Sequence, residues 1–150
     1  MTISNTIQHI LTRMEACITE QESIILEERE ALQTFDAATL TSLVERRARS
    51  QSTLNELEHQ CQKLCSKVQH IQNKNQRMSY FIDHFAPELA DTLQSKRIEL
   101  VRRMQTLEQA HIENHIRLRA AWNVTTSILQ HVGAIEAKPT YGNPATQGSR

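Results

Sequence analysis

The chain has 150 residues, enough for one domain, and its 17 basic residues balance its 17 acidic ones. This balance argues against nucleic acid as a partner, because nucleic-acid-binding proteins usually carry a basic excess. Aromatic residues make up only 4% of the chain, so a core of aliphatic helix–helix seams is expected. The sequence has no apolar run of about 18 residues and no signal peptide at its start, which predicts a cytoplasmic protein without membrane insertion.

Glycine and proline are distributed very unevenly along the chain. Glycine is absent from residues 1–132, where proline occurs once, at Pro87, and the others lie in the last eighteen residues. Because these residues mark tight turns, a chain that nearly lacks them is either helical or disordered. An apolar repeat decides for helices, so we predict a helical body over residues 1–135 and a disordered tail over residues 136–150.

The first predicted helix covers about residues 4–35, where apolar side chains recur in steps of four and three. This mean spacing of 3.5 residues keeps one stripe facing a partner helix. Asp36 is placed to cap the next helix, because its carboxylate can accept backbone N–H groups. The short connection makes the two helices antiparallel, which brings Glu28 level with Arg46 and Arg47 as an ion-pair layer.

The second and third helices are predicted at about residues 38–84 and 87–135, and Pro87 suits the first position of the third. The fold class is therefore all-α: an elongated antiparallel three-helix bundle, or helical hairpin, with coiled-coil packing and a flexible C-terminal tail. The first helix is the shortest, so it should cover the second only as far as about Ile71. The less covered hairpin tip then indicates self-association, as in a homodimer, or a partner site. Its apolar residues are Met78, Phe81, Ile82, Phe85, Leu89 and Leu93.

No catalytic signature is present, which predicts a protein that is not an enzyme and needs no cofactor. The sequence contains no Gly-rich phosphate loop, no G-x-S-x-G and no H-E-x-x-H. Cys17, Cys61, Cys65 and His111 fall near one level of the predicted bundle and could in principle bind zinc. Without a C-x-x-C turn, packing of the thiols as small apolar side chains is the favoured interpretation, and no metal is expected.

The end of the third helix carries the densest apolar surface of the C-terminal half. Its residues are Leu118, Trp122, Thr125, Ile128, Leu129, Val132 and Ile135. Two interpretations remain open: packing within the chain's own core, or a face that binds a partner's amphipathic helix. Tyr141 is the one aromatic residue of the tail and is either incidental or the anchor of a docking motif.

Several short motifs resemble the FlgN-like family of flagellar export chaperones. They are LEEREAL at 26–32, FD at 35–36, LTSLVERR at 40–47, LNEL at 54–57, Asn114 in the third helix, and TYG at 140–142 with Gly148 after it. The resemblance implies a cytoplasmic, non-enzymatic chaperone of flagellar type III export. It would bind the C-terminal amphipathic helices of hook-associated (hook–filament junction) proteins, prevent their premature assembly and deliver them to the export gate.

The resemblance also implies roles for particular residues and partners. The region from Leu118 to Ile135 would hold the substrate helix, and Tyr141 would dock to the cytoplasmic domain of the gate's membrane protein. The export ATPase is a further expected partner. Two other functions are compatible with the sequence: a structural coiled-coil or stalk subunit of a secretion apparatus, and, less well supported, a thiol or zinc protein.

Overall fold

The computed structural model describes residues 2–133, and these residues form helices without any strand. Helix α1 spans Ile3–Thr34, α2 spans Ala37–Cys65, α3 spans Lys74–Phe85 and α4 spans Ala90–His131. A short 3-10 helix, Pro87–Leu89, connects α3 to α4. The all-α fold class is thus confirmed, whereas the predicted tail over residues 136–150 lies outside the described residues.

The turn between α1 and α2 is built without glycine. Phe35 adopts a left-handed backbone conformation with φ 54°, and the Asp36 N–H donates to the Ala31 carbonyl at 2.9 Å, which ends α1. Asp36 then caps α2 as predicted, because its carboxylate accepts from the Thr39 N–H at 3.1 Å and from the Thr39 hydroxyl at 2.6 Å. These hydrogen bonds lower the pKa of Asp36, the one from the Thr39 side chain most.

Helices α1 and α2 pack antiparallel, in the register that the sequence predicts. Arg47 pairs with Glu28 in a largely buried contact. Arg46 binds Glu20 at 2.9 Å and Glu27 at 2.8 Å. The predicted ion-pair layer is therefore present, with Arg47 rather than Arg46 as the partner of Glu28.

The prediction of one continuous helix over residues 38–84 is wrong, because two helices occupy that range. The chain is irregular over residues 66–73, where Ser66 donates its hydroxyl to the Lys63 carbonyl at 2.6 Å. Asn73 restarts the helix by accepting the N–H groups of Asn75 at 2.9 Å and Gln76 at 3.1 Å. Short polar side chains that bond to nearby backbone groups compete with the helix in this way and need no glycine or proline.

This interruption also corrects the prediction of an uncovered hairpin tip. Because α2 has 29 residues and α1 has 32, α2 ends level with the start of α1, and α3 then packs along the same end of α1. Phe81 and Ile82 are completely buried and Leu93 is 2% exposed. Met78 and Leu89 are half-buried against the same core, and of the six only Phe85 is exposed.

Helix α4 runs parallel to α1 up to residue 114. Glu15 accepts from Lys96 at 2.8 Å, and further along both helices Glu22 accepts from Arg103 at 3.2 Å. Asn114 is 1% exposed and donates its amide to the Ile25 carbonyl at 3.0 Å. Residues 1–114 form one compact unit, and a second unit begins at residue 115.

Candidate functional site

The described part of the second unit carries a row of mainly apolar side chains on α4. Residues 118, 122, 125, 129 and 132 follow one another in steps of four and three, which places them on one face of the helix. We call these five residues the α4 stripe. Leu118 and Leu129 are each 38% exposed, Trp122 is 42% exposed and Val132 is 71% exposed. Thr125 is half-buried and donates its hydroxyl to the Ala121 carbonyl at 2.9 Å.

The remaining members of the predicted substrate-binding set lie differently. Ile128 is 58% exposed and stands at the edge of the α4 stripe, about 80° around the helix from Leu118 at 100° per residue. Ile135 lies outside the described residues, as does Tyr141, so the structure adds nothing to either prediction.

Within residues 115–133, the charge around the α4 stripe is basic. Residues 115–133 contain two arginines and two histidines and no acidic residue. Arg117 and Arg119 precede and follow Leu118 in sequence, which puts them about 100° to either side of it on the helix. The arrangement is therefore an exposed apolar row flanked by positive charge, which suits a partner helix that carries acidic residues beside its own apolar row.

The three cysteines are packing residues in the structure. Cys17 is buried with Leu54 and Leu57, beside the half-buried Cys61, and Cys65 is buried in the neighbouring cluster. Burial raises the pKa of the Cys61 thiol to about 12, with smaller contributions from Cys65 and Glu58. Across residues 2–133 no three His, Cys, Asp or Glu side chains come together as a metal site.

A second feature, which the sequence did not reveal, is a cavity of about 190 Å³ inside the first unit. Its apolar wall contains sulfur-bearing side chains from all four helices and two aliphatic side chains of α4. These wall residues are Leu11, Met14, Cys61, Cys65, Met78, Leu100, Val101 and Met104. Glu58, Lys74, Arg77 and Arg97 are among its polar lining residues. The cavity depends on the break at residues 66–73, because that break lets α2 and α3 lie side by side; no sequence motif marks it.

Comparison with known proteins gives one match. The model of a family described as FlgN protein matches residues 1–149. No curated protein and no solved structure matches. None of the helices within residues 2–133 combines the length and the hydropathy needed to span a membrane.

Proposed function

The chain belongs to the FlgN family of flagellar export chaperones, and from this premise we propose that its clients are hook-associated proteins. In this proposal the protein works in the cytoplasm, binds the C-terminal amphipathic helices of these proteins, prevents their premature assembly and delivers them to the export gate. The observation that supports it best is the α4 stripe, because exposed apolar residues at helical spacing suit a partner helix.

The mechanism is masking without bond chemistry. A subunit that assembles through the apolar face of a terminal helix stays monomeric while another helix covers that face. In this protein the client helix would pack against the exposed side chains of Leu118, Trp122 and Leu129. The arginines beside Leu118 favour client helices whose apolar face is flanked by acidic residues. Release at the gate then requires that the client helix leave the α4 stripe.

The first test is binding of C-terminal peptides of hook-associated proteins to the full chain. Trp122 is the chain's only tryptophan, so its fluorescence reports directly on the α4 stripe. We expect a blue shift of its emission on binding, and calorimetry should show that truncation after residue 117 abolishes binding. Absence of binding to the full chain, or equal binding by the truncated chain, would contradict the proposal.

A separate test concerns Tyr141, which we propose as the contact with the gate's membrane protein. Tyr141→Ala should leave peptide affinity unchanged within about twofold, because the residue lies outside the α4 stripe. Secretion of hook-associated proteins should fall several-fold, with Tyr141→Phe as the matched control that keeps the ring. Wild-type secretion by the Tyr141→Ala variant would remove the docking role and leave the client-binding proposal intact.

A further inference from the structure

The cavity in the first unit differs from an ordinary packing defect in its lining. Three of the chain's four methionines, Met14, Met78 and Met104, contribute to one wall. The Cys65 thiol lies 3.3 Å from the Met78 sulfur. Methionine is unbranched and polarisable, so surfaces rich in it adapt to apolar partners of different shape. The exposed residues Glu58 and Lys74 also line the cavity, so it reaches the surface.

The three cations that line this cavity form no ion pair with a carboxylate of residues 2–133. Elsewhere on α4, Lys96 and Arg103 form ion pairs with carboxylates of α1. Lys74, Arg77 and Arg97 have no carboxylate within ion-pair distance in the described part of the chain. Arg77 donates Nε to the Ile71 carbonyl at 2.9 Å, and Arg97 donates Nε to the Gln94 side chain at 3.1 Å. The lining thus contains three cationic side chains and one carboxylate, that of Glu58, so its net charge is positive.

We propose that this cavity is a second client contact, which receives one large apolar side chain flanked by a carboxylate on an amphipathic helix. The inference rests on the proposed chaperone function and adds to it a contact outside the α4 stripe. A cavity of about 150 Å³ accommodates benzene, so one of about 190 Å³ holds a leucine, methionine or phenylalanine side chain. The carboxylate complements the net positive charge of the lining.

A soft metal ion fits the cavity less well than an apolar side chain does. Cysteine binds metals as the thiolate, and burial raises the pKa of the Cys61 thiol to about 12, which adds to the cost of forming that thiolate here. Burial also raises the pKa of Cys65, although Arg77 opposes the shift. Protonated thiols and thioethers together form an apolar wall.

The decisive experiment is NMR of the full chain with ¹³C-labelled methionine methyl groups and a ¹⁵N-labelled tryptophan indole. C-terminal peptides of hook-associated proteins are the probe. We expect the methyl signals of Met14, Met78 and Met104 to shift at the same peptide concentrations as the Trp122 indole. A shift of Trp122 alone would overturn this inference and leave the chaperone function standing, whereas no shift of either would overturn both. Methyl shifts that follow protein concentration before peptide is added would identify a second copy as the occupant and also overturn it.

A charge-reversal pair tests the carboxylate of the proposed occupant. Lys74 and Lys67 are both exposed, but only Lys74 lines the cavity. Lys74→Glu should weaken peptide affinity about fivefold at low salt, and Lys67→Glu less than twofold, because only the first charge faces the occupant. Equal effects of the two variants would contradict a carboxylate at the cavity. Thermal unfolding of both variants checks that the fold is retained.

Discussion

Replacing Phe81 by alanine is expected to lower the free energy of unfolding by about 3–5 kcal/mol. The ring is completely buried in the cluster that joins the first turns of α1 to α3 and the start of α4. Its removal takes apolar area out of the core and leaves a cavity that the surrounding helices fill only in part. Urea unfolding followed by circular dichroism measures the loss as a lower midpoint at unchanged slope.

Phe85 provides the matched control for this prediction. It lies one turn further along α3, with its ring stacked at 4.7 Å on that of Phe81, but it is 40% exposed. Phe85→Ala should therefore cost about 1 kcal/mol. Equal losses for the two variants would mean that Phe81 is not covered by α1 and that the hairpin tip is open after all.

Leu129→Glu is expected to weaken binding of the client peptides by about 30- to 100-fold. The residue is one of the large apolar members of the α4 stripe, and a few such anchors carry most of the binding free energy in helix-binding interfaces. The new carboxylate would also have to be desolvated against an apolar and acidic helix. Because Leu129 is 38% exposed, the free energy of unfolding should change little. Titration calorimetry gives the affinity.

Val124→Glu introduces the same charge on the same helix and serves as the control. Val124 is 59% exposed and lies about 120° around α4 from Leu118, outside the α4 stripe. The Val124→Glu substitution should weaken peptide binding by less than about threefold. If both variants lost affinity equally, added negative charge alone would explain the loss, and the α4 stripe would not be the client face.

The α1–α2 hairpin is the part of the fold that the sequence predicts best. Apolar steps of four and three set the helix faces, and Asp36 sets the turn, so the level of Glu28 with Arg47 follows from counting residues. Local signals and tertiary packing agree there.

Counting apolar steps fails to predict the backbone from Ser66 to Asn73. Val68 and Ile71 occupy the expected apolar positions and pack in or against the core, but from irregular backbone. Periodicity reports which side chains are buried and says little about whether the chain between them stays helical. The cavity was beyond prediction for the same reason, since it is formed by helices that lie side by side only because of this break.

The α4 stripe was predictable because its spacing and its lack of acidic residues are both local properties of the sequence. Its exposure was not, since the same pattern would equally fill a core. Only the structure distinguishes an apolar row that is covered from one that is available.

Asn114 has a consequence for how the chain tolerates changes in length. Apolar seams between parallel helices repeat every seven residues, so α4 could slide along α1 by one repeat with little loss of apolar contact. The buried side-chain amide of Asn114 donates to the Ile25 carbonyl, and its oxygen accepts from Arg29 at 3.2 Å. A shift of seven residues would place Leu107 or Ala121 at the position of Asn114 and break both hydrogen bonds. One polar side chain therefore fixes the register of α4 along α1. An insertion or deletion of seven residues in α4 before Asn114 would therefore destabilise the first unit, because it breaks these hydrogen bonds while keeping the apolar phase. The same change after Asn114 leaves them intact.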